Sequence, residues 1–420
     1  MTKPTQKALA LAYSAVLLFI LTLTGPEPFY TALLALFITS ILAYSKGLAD
    51  RQAKILYRIE VSRSVEPEYT YEGSVVVVGL SITNNSGFPV GNLLIEDEKP
   101  LRLGGGRERI LVDHIEPHGV YTVSYSVKPP PGLHEFRHVM LEAGDPLGLF
   151  VERRRIEVYK ALRVAPASLR GFTGSPQQLH GTAEVYVRAV RGAGYELFEV
   201  REYMPGDDPR RISWSATARH RRLMVREDLS ETITKVYILV DLSEDVWTGL
   251  PGVSAGDYIM RAAETIAQET ARMSGTLGYT IYNGETWISK APSRGFDVLH
   301  DLTVKLSIYS PTDAVKRFNL YDAVQASSRL ATPGLLVILT GPGFMREYNV
   351  GQVVKALSGH RGDKAILVFL PGGGDMASRA VRMIELHHYS RVKGDFERSG
   401  VRVYIGSSAK PLAGLRWHMR

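Results

Sequence analysis

Two apolar runs dominate the amino end of the chain: Ala8 to Leu23 and Phe29 to Tyr44 carry no charge and are separated by Gly25-Pro26-Glu27-Pro28. Each run is about 16 residues, a turn short of a bilayer span, and flanking residues complete it. Basic residues flank only the outer ends: Lys3 and Lys7 before the first run, Lys46, Arg51, Lys54 and Arg58 after the second. By the positive-inside bias, residues 1–50 are predicted to form a transmembrane helical hairpin. The protein would then be multi-pass in the cell membrane, with its N-terminus and large C-terminal region in the cytoplasm. A cleaved signal peptide fits less well, because no small-x-small site precedes Gly25 and a second apolar run follows at once.

The pattern then changes to short runs rich in Val, Ile, Tyr and Thr with turn residues between them, over residues 56–166. Ser74 to Thr83 reads as a strand that stops at Asn84-Asn85-Ser86-Gly87. Tyr121 to Val127 alternates and ends at Pro129 to Pro131, and Leu133 to Glu142 leads to the turn Asp145-Pro146-Leu147-Gly148. Strands at this spacing without a helical period predict a small antiparallel β-sandwich. Its histidines, His114, His118, His134 and His138, are scattered, and a zinc site needs convergent ligands.

From residue 234 to about 410 the pattern alternates. Val236 to Val240, Gly334 to Leu339, Ala365 to Leu370 and Val401 to Ile405 are consecutive apolar runs of the buried-strand type. Between them, Ile259, Ala262, Ala263, Ile266, Ala267 and Thr270 recur at helical spacing, as do Val298, Leu299, Leu302 and Leu306. Thr276 to Tyr282 and Thr286 to Ser289, joined by Asn283-Gly284, predict a hairpin. Strands alternating with helices imply an α/β, Rossmann-like domain whose mostly parallel sheet is covered on both faces. Ligands of such sheets bind beyond the carboxyl ends of the strands, which draws attention to Asp241-Leu242-Ser243-Glu244-Asp245.

Composition narrows the picture. The 420 residues suggest two or three domains, and 45% hydrophobic with 22% charged residues suits a globular core. The absence of cysteine excludes disulfides, thiolate metal sites and a cysteine nucleophile. A net charge of +7 favours an anionic surface, and a membrane leaflet explains it as well as nucleic acid does.

The densest charge lies in FEVREYMPGDDPRRISWSATARHRRLMVRE, within the segment 167–233. Glu199 to Tyr203 ends a strand, and Pro205-Gly206 makes a tight turn. Asp207 or Asp208 is then expected to cap a helix with Pro209 at its first position, and a strand follows at Leu223 to Val225. Arginine–carboxylate pairs here fit either a recognition surface or active site, or an ionic clamp on an irregular turn.

The order R-E-Y-x-x-G-D-D-x-R-x-I-x-W-x-x-x-A-R, followed by a strand ending in R-E, resembles the domain of unknown function 58 family. It falls on Arg201, Glu202, Tyr203, Gly206, Asp207, Asp208, Arg210, Ile212, Trp214, Ala218, Arg219, Arg226 and Glu227. Asp145-Pro146-Leu147-Gly148-Leu149-Phe150 resembles that family's D-P-[FL]-G-L-F turn, and the two-helix anchor matches its layout. The resemblance implies a von Willebrand factor A-like domain and partnership with a MoxR-type AAA+ ATPase. In A-like domains the first strand-end loop reads D-x-S-x-S and helps hold a magnesium ion. Asp241 and Ser243 match, Asp245 replaces the second serine, and Thr312 is the candidate threonine ligand, which makes a degenerate site. Where a later strand should end near an aspartate, this chain has Leu339-Thr340-Gly341-Pro342.

Other motifs carry little. Gly372-Gly373-Gly374 lacks a following Gly-Lys-Ser/Thr, Arg361-Gly362-Asp363 is incidental in a turn, and adjacent His387 and His388 diverge on a helix. No catalytic residue is assigned. The leading expectation is a non-enzymatic, membrane-tethered adaptor that works with the ATPase in protein-complex assembly or maturation. Its contacts would centre on the Asp241 loop and the surface from Arg201 to Arg219. The alternative is a metal-dependent hydrolase using Asp207, Asp208 and Asp241. Nucleic-acid binding ranks last, since the arginines lack interleaved aromatics.

Overall fold

A computed structural model of the chain describes residues 2–25, 28–104, 106–169, 190–192, 196–204, 207, 209–230, 235–331, 333–344, 350–372 and 376–406. The chain divides into two compact units, 1–165 and 166–420.

In the first unit a short strand, β1 (Lys3–Pro4), precedes the helices α1 (Gln6–Thr24) and α2 (Pro28–Leu56). Both are long and apolar enough to cross a membrane, and they present Phe19, Leu23, Phe29 and Phe37 outward. Helix α2 continues well past its apolar run. Its last turns bury Ser45, Ala49, Ile55 and Leu56, the last two in the core of the strands that follow. Arg154 ends the helix by donating to Leu56 O at 2.8 Å, where a cation meets the negative end of the helix dipole.

The strands are β2 (Ile59–Glu66), β3 (Tyr69–Tyr71), β4 (Val76–Asn84), β5 (Val90–Glu98), β6 (Arg107–Ile115), β7 (Val120–Val127), β8 (Gly132–Gly144) and β9 (Phe150–Ala165). They form two sheets, β1-β9-β8-β5-β6 with β3 also on β9, and β2-β4-β7. Pairing is antiparallel except for β3 on β9. Alternation does the sorting: Leu80 and Ile82 of β4 face Leu93 and Ile95 of β5 and Val139 and Leu141 of β8 in one core. Each such side chain contributes about 1.5–3 kcal/mol on burial. Asn84, fully buried at the predicted stop, donates to Phe88 O and Glu116 O, and its Oδ1 accepts from Ser86 N. Of the scattered histidines, His134 is buried against Pro130 O, whereas His114 and His138 sit beside surface glutamates.

The second unit opens with a small antiparallel sheet, β10-β12-β11, of β10 (Val190–Gly192), β11 (Glu196–Glu202) and β12 (Met224–Ser230), with α3 (Trp214–His220) between the last two. The chain then runs β13 (Lys235–Asp241), α4 (Ala255–Arg272), β14 (Thr276–Tyr282), β15 (Trp287–Arg294), α5 (Gly295–Ser307), α6 (Leu320–Leu330), β16 (Leu335–Thr340), α7 (Val350–Leu357), β17 (Lys364–Phe369), α8 (Met376–Arg398) and β18 (Val401–Gly406). The sheet order is β15-β14-β13-β16-β17-β18, parallel except for β15.

Successive residues of β13 serve opposite faces. Val236, Ile238 and Val240 pack with α4 and α5, while Tyr237 and Leu239 pack with α6 and α7. This two-sided burial explains the unbroken apolar runs. Asn283 Oδ1 accepts the N–H groups of Glu285 and Thr286 in the predicted hairpin turn. Gly284 there has φ +114°, open to glycine and strained for other residues. The winding direction reverses between β13 and β16, so the crevice of this sheet lies at their carboxyl ends.

Candidate functional site

Strand β13 ends on Asp241, which is fully buried. Its Oδ1 accepts from Ser243 N at 3.1 Å and lies 2.7 Å from Ser243 Oγ. The same hydroxyl sits 2.9 Å from Asp245 Oδ1, so one proton serves two carboxylates. The other Asp241 oxygen accepts from Thr340 Oγ1 at 2.6 Å, at the end of β16. A guanidinium closes the arrangement. Arg317 Nε donates to Asp241 Oδ2 at 2.9 Å, and Arg317 Nη1 lies 2.7 Å from Asp245 Oδ2. Arg317 Nη1 also donates to Pro342 O at 3.1 Å. The Arg317 side chain is 1% exposed and that of Asp245 is 34% exposed, so the node is buried at Arg317 and open to solvent only at Asp245.

The segment that delivers Arg317 is held from two sides. Val315 N donates to Asn283 O and Phe318 N to Gly284 O, each at 2.8 Å, and Glu244 N donates to Val315 O at 2.9 Å. A Cβ on Gly284 would lie 2.0 Å from Val315 O, so only glycine admits this approach. Beneath the loop, Tyr309 donates to Leu242 O at 2.7 Å, and its ring stacks on Trp247 at a centroid distance of 5.9 Å. Burial, with Asp241 and Asp313 nearby, pushes the Tyr309 phenol up, which keeps it a hydrogen-bond donor.

The structure thus brings Asp241, Ser243 and Asp245 together. Thr312 is exposed in the turn Pro311–Asp313, with its hydroxyl 2.8 Å from Ser310 Oγ. The residues missed from sequence are Arg317 and Thr340. Thr340 follows the apolar run of β16, a strand-end position that could have marked it, whereas nothing periodic surrounds Arg317.

The signature segment forms a second, separate arrangement. Arg201 at the end of β11 grips Asp207 with two bonds of 2.7 Å, and Met204 N donates to the same carboxylate at 2.7 Å. The expected helix start is displaced. Residues Pro209–Arg211 form a 3-10 turn, and α3 begins after Ser213, whose Oγ accepts from Ala216 N at 3.4 Å. Of the two expected caps, Asp207 is already committed to Arg201 and Met204. Gly206 and Asp208 lie outside the described residues. Tyr203 N donates to Leu223 O, while Glu202 pairs at the surface with Arg222 at 3.5 Å. Arg210, Trp214 and Arg219 are exposed.

The Arg201 bonds, followed by the Met204 N–H, hold the Asp207 carboxyl down to about 2. Its pKa is depressed, so the clamp's contribution is complete above the ordinary aspartate value of about 3.9 and is lost as pH falls through about 2. A ¹³C carboxyl titration is expected to place Asp207 near the lower value, and Arg201→Met is expected to return it toward the ordinary one. Asp207 and Asp241 share no bonding partner among the described residues, so these two acids of the hydrolase alternative are engaged separately.

A third arrangement ties the helices to the strands of the first unit. Asp145 accepts the N–H groups of Leu147, Leu149 and Phe150 at 2.9, 2.8 and 2.6 Å, and its other partner is the Ser45 hydroxyl of α2. The same turn holds the start of α1, because Thr5 N donates to Leu149 O at 2.8 Å and Thr5 Oγ1 to Gly148 O at 2.9 Å.

Residues 199–361, which contain both the Arg201 clamp and the Asp241 node, match the family model described as "Protein of unknown function DUF58". The uncharacterized protein Rv1480 of Mycobacterium tuberculosis is 26% identical over 255 residues, covering 57% of this chain and 78% of that protein. The uncharacterized protein YeaD of Bacillus subtilis is 25% identical over 214 residues, and the match spans 48% of this chain and about half, 52%, of YeaD. Among solved structures, the alkylpurine DNA glycosylase AlkC of Pseudomonas fluorescens aligns at 13% identity and TM-score 0.16, over 36% of this chain and 45% of that one. A likeness that slight has no bearing on fold or function. The sequence relatives and the signature agree with that match, and residues 199–361 are similar to the DUF58 family of proteins of unknown function.

Proposed function

We propose that this protein is a membrane-tethered, cytoplasmic adaptor whose second unit is a von Willebrand factor A-like interaction domain. In this reading α1 and α2 span the bilayer, and a MoxR-type AAA+ ATPase is the partner in assembling or maturing protein complexes. The observation that carries the tether is the Asp145 turn. It is bonded both to Thr5 before α1 and to Ser45 in α2, so both outer ends of the hairpin lie on the side of the β unit. Lys3, Lys7, Lys46, Arg51 and Lys54 cluster at those ends, which supports a cytoplasmic side.

Support for the A-like reading comes from the sheet order β15-β14-β13-β16-β17-β18 and from the acidic node at its carboxyl crevice. Arginine engages both Asp207 and Asp241, an arrangement suited to shaping a surface rather than to moving protons. The partnership with the ATPase follows from the family resemblance. Two arms test the proposal. External protease on intact cells is expected to spare the part after α2, and affinity capture from membranes with magnesium and ATP is expected to recover a MoxR-type ATPase. Digestion of that part would sink the topology, and capture without the ATPase would sink the partnership.

A further inference from the structure

We propose that Arg317 is the built-in cation of the strand-end loop, standing in the position where an A-like domain holds a divalent ion. The Asp241–Ser243–Asp245 node would then be complete without a metal. This deepens the A-like reading only in naming the ion that is replaced, and its test uses metal alone with no partner present.

The donor set decides the fit. A magnesium ion needs six oxygen ligands at short, nearly octahedral distances and keeps several waters. Here each carboxylate oxygen of the node already has a proton donor or a positive charge. Asp241 Oδ1 has Ser243 N and Oγ, and Asp241 Oδ2 has Arg317 Nε and Thr340 Oγ1. Asp245 Oδ1 has Ser243 Oγ, and Asp245 Oδ2 has Arg317 Nη1. A divalent ion bridging the two aspartates would have to expel a guanidinium that is 1% exposed. The residues present therefore do not fit the ion while Arg317 is in place.

Arg317 does not reach this position by the chance of a long side chain. Its backbone is strapped to the β14–β15 turn through Val315 and Phe318 and to the loop itself through Glu244 N. The close seat on Gly284 fixes the height of that strap. The planar fork spans two carboxylates and stays charged at any pH a cell meets. One guanidinium balances one of the two carboxylates, and the hydroxyls of Ser243 and Thr340 serve the remaining lone pairs. The loop keeps its shape whatever the magnesium level. It also offers no open coordination position through which a partner's carboxylate could be captured, so contacts at this end of the sheet are insensitive to chelators.

The test uses the full-length protein in detergent, with Mn²⁺ as the probe read by electron paramagnetic resonance and with melting followed in EDTA and in magnesium. The wild type is expected to melt at the same temperature in both and to bind no Mn²⁺ that Asp241→Asn removes. Arg317→Ala frees the two Oδ2 atoms. It is expected to melt lower in EDTA, to recover in magnesium, and to bind Mn²⁺ at least about tenfold more tightly than wild type. Arg317→Lys retains a charge and is expected to fold and remain indifferent to metal. Wild-type Mn²⁺ binding that Asp241→Asn abolishes overturns the proposal, and so does a folded Arg317→Ala that gains none. If Arg317→Ala does not fold, the wild-type and Arg317→Lys responses to Mn²⁺ decide.

Discussion

Arg63→Met is expected to lower the stability of the first unit by about 3–5 kcal/mol, because it leaves a buried carboxylate without its counter-charge. Arg63 and Asp97 have fully buried side chains. The guanidinium of Arg63 reaches Asp97, Val158 O and, at 3.2 Å, His138 O, and it lies 5.4 Å from the centre of the Phe136 ring. Tyr125 OH donates to the second oxygen of Asp97 at 2.7 Å. Burial, then the neighbouring carboxylate, pushes that phenol up and keeps its proton in place. Arg63 and Tyr125 belong to the sheet β2-β4-β7, whereas Asp97 and Val158 belong to the other sheet, so this cluster bridges the two layers. Amide exchange on β4 and β5 should rise together in the variant. The double change Arg63→Met with Asp97→Leu is expected to be less harmful than the single one, since no charge is then stranded. An Arg63→Met protein as stable as wild type would show that water reaches Asp97.

Asp145→Ala is expected to cost about 2–4 kcal/mol and to loosen the helices from the β unit. Three backbone N–H groups lose their acceptor at once, and the Ser45 hydroxyl loses its partner. Asp145 is only 4% exposed, so water does not readily replace it. The expected signature is faster exchange at Leu147, Leu149 and Phe150 together with Thr5, because the turn that presents Leu149 O and Gly148 O to Thr5 loses its frame. Ser45→Ala removes a single bond, and about 1 kcal/mol is expected. Equal effects from the two variants would mean that the turn holds its shape by other means. The D-P-L-G-L-F turn would on this account owe its place to the anchor: it joins the outer ends of both helices to the folded unit.

How much of this was legible beforehand depends on the range of each interaction. The hairpin of helices and the strands of both units follow from local periodicity, which one residue's neighbours already express. The stop at Asn84 and the turn at Asn283-Gly284 follow from side chains bonding to backbone two or three residues away. Of the two caps expected before Pro209, Asp207 is instead held by Arg201, six residues earlier, because a cap and an ion-pair partner look alike in sequence. Helix α2 continues past its apolar run because its last turns are held by strands β5, β8 and β9, which lie far along the chain.

The sequence by itself determined the apolar hairpin, the strand–helix alternation, the family signature and the placing of Asp241 at a strand end. Each of these is a matter of side-chain type and spacing within a few residues. Only the tertiary structure decided what surrounds that aspartate. Arg317 is 76 residues away with no local pattern to mark it, and Thr340, 99 residues away, is marked only by its place at a strand end. They meet because parallel strands align their carboxyl ends and a strap across the hairpin turn brings in a guanidinium. That meeting gives an acidic loop that resembles a metal site a cation from within the chain.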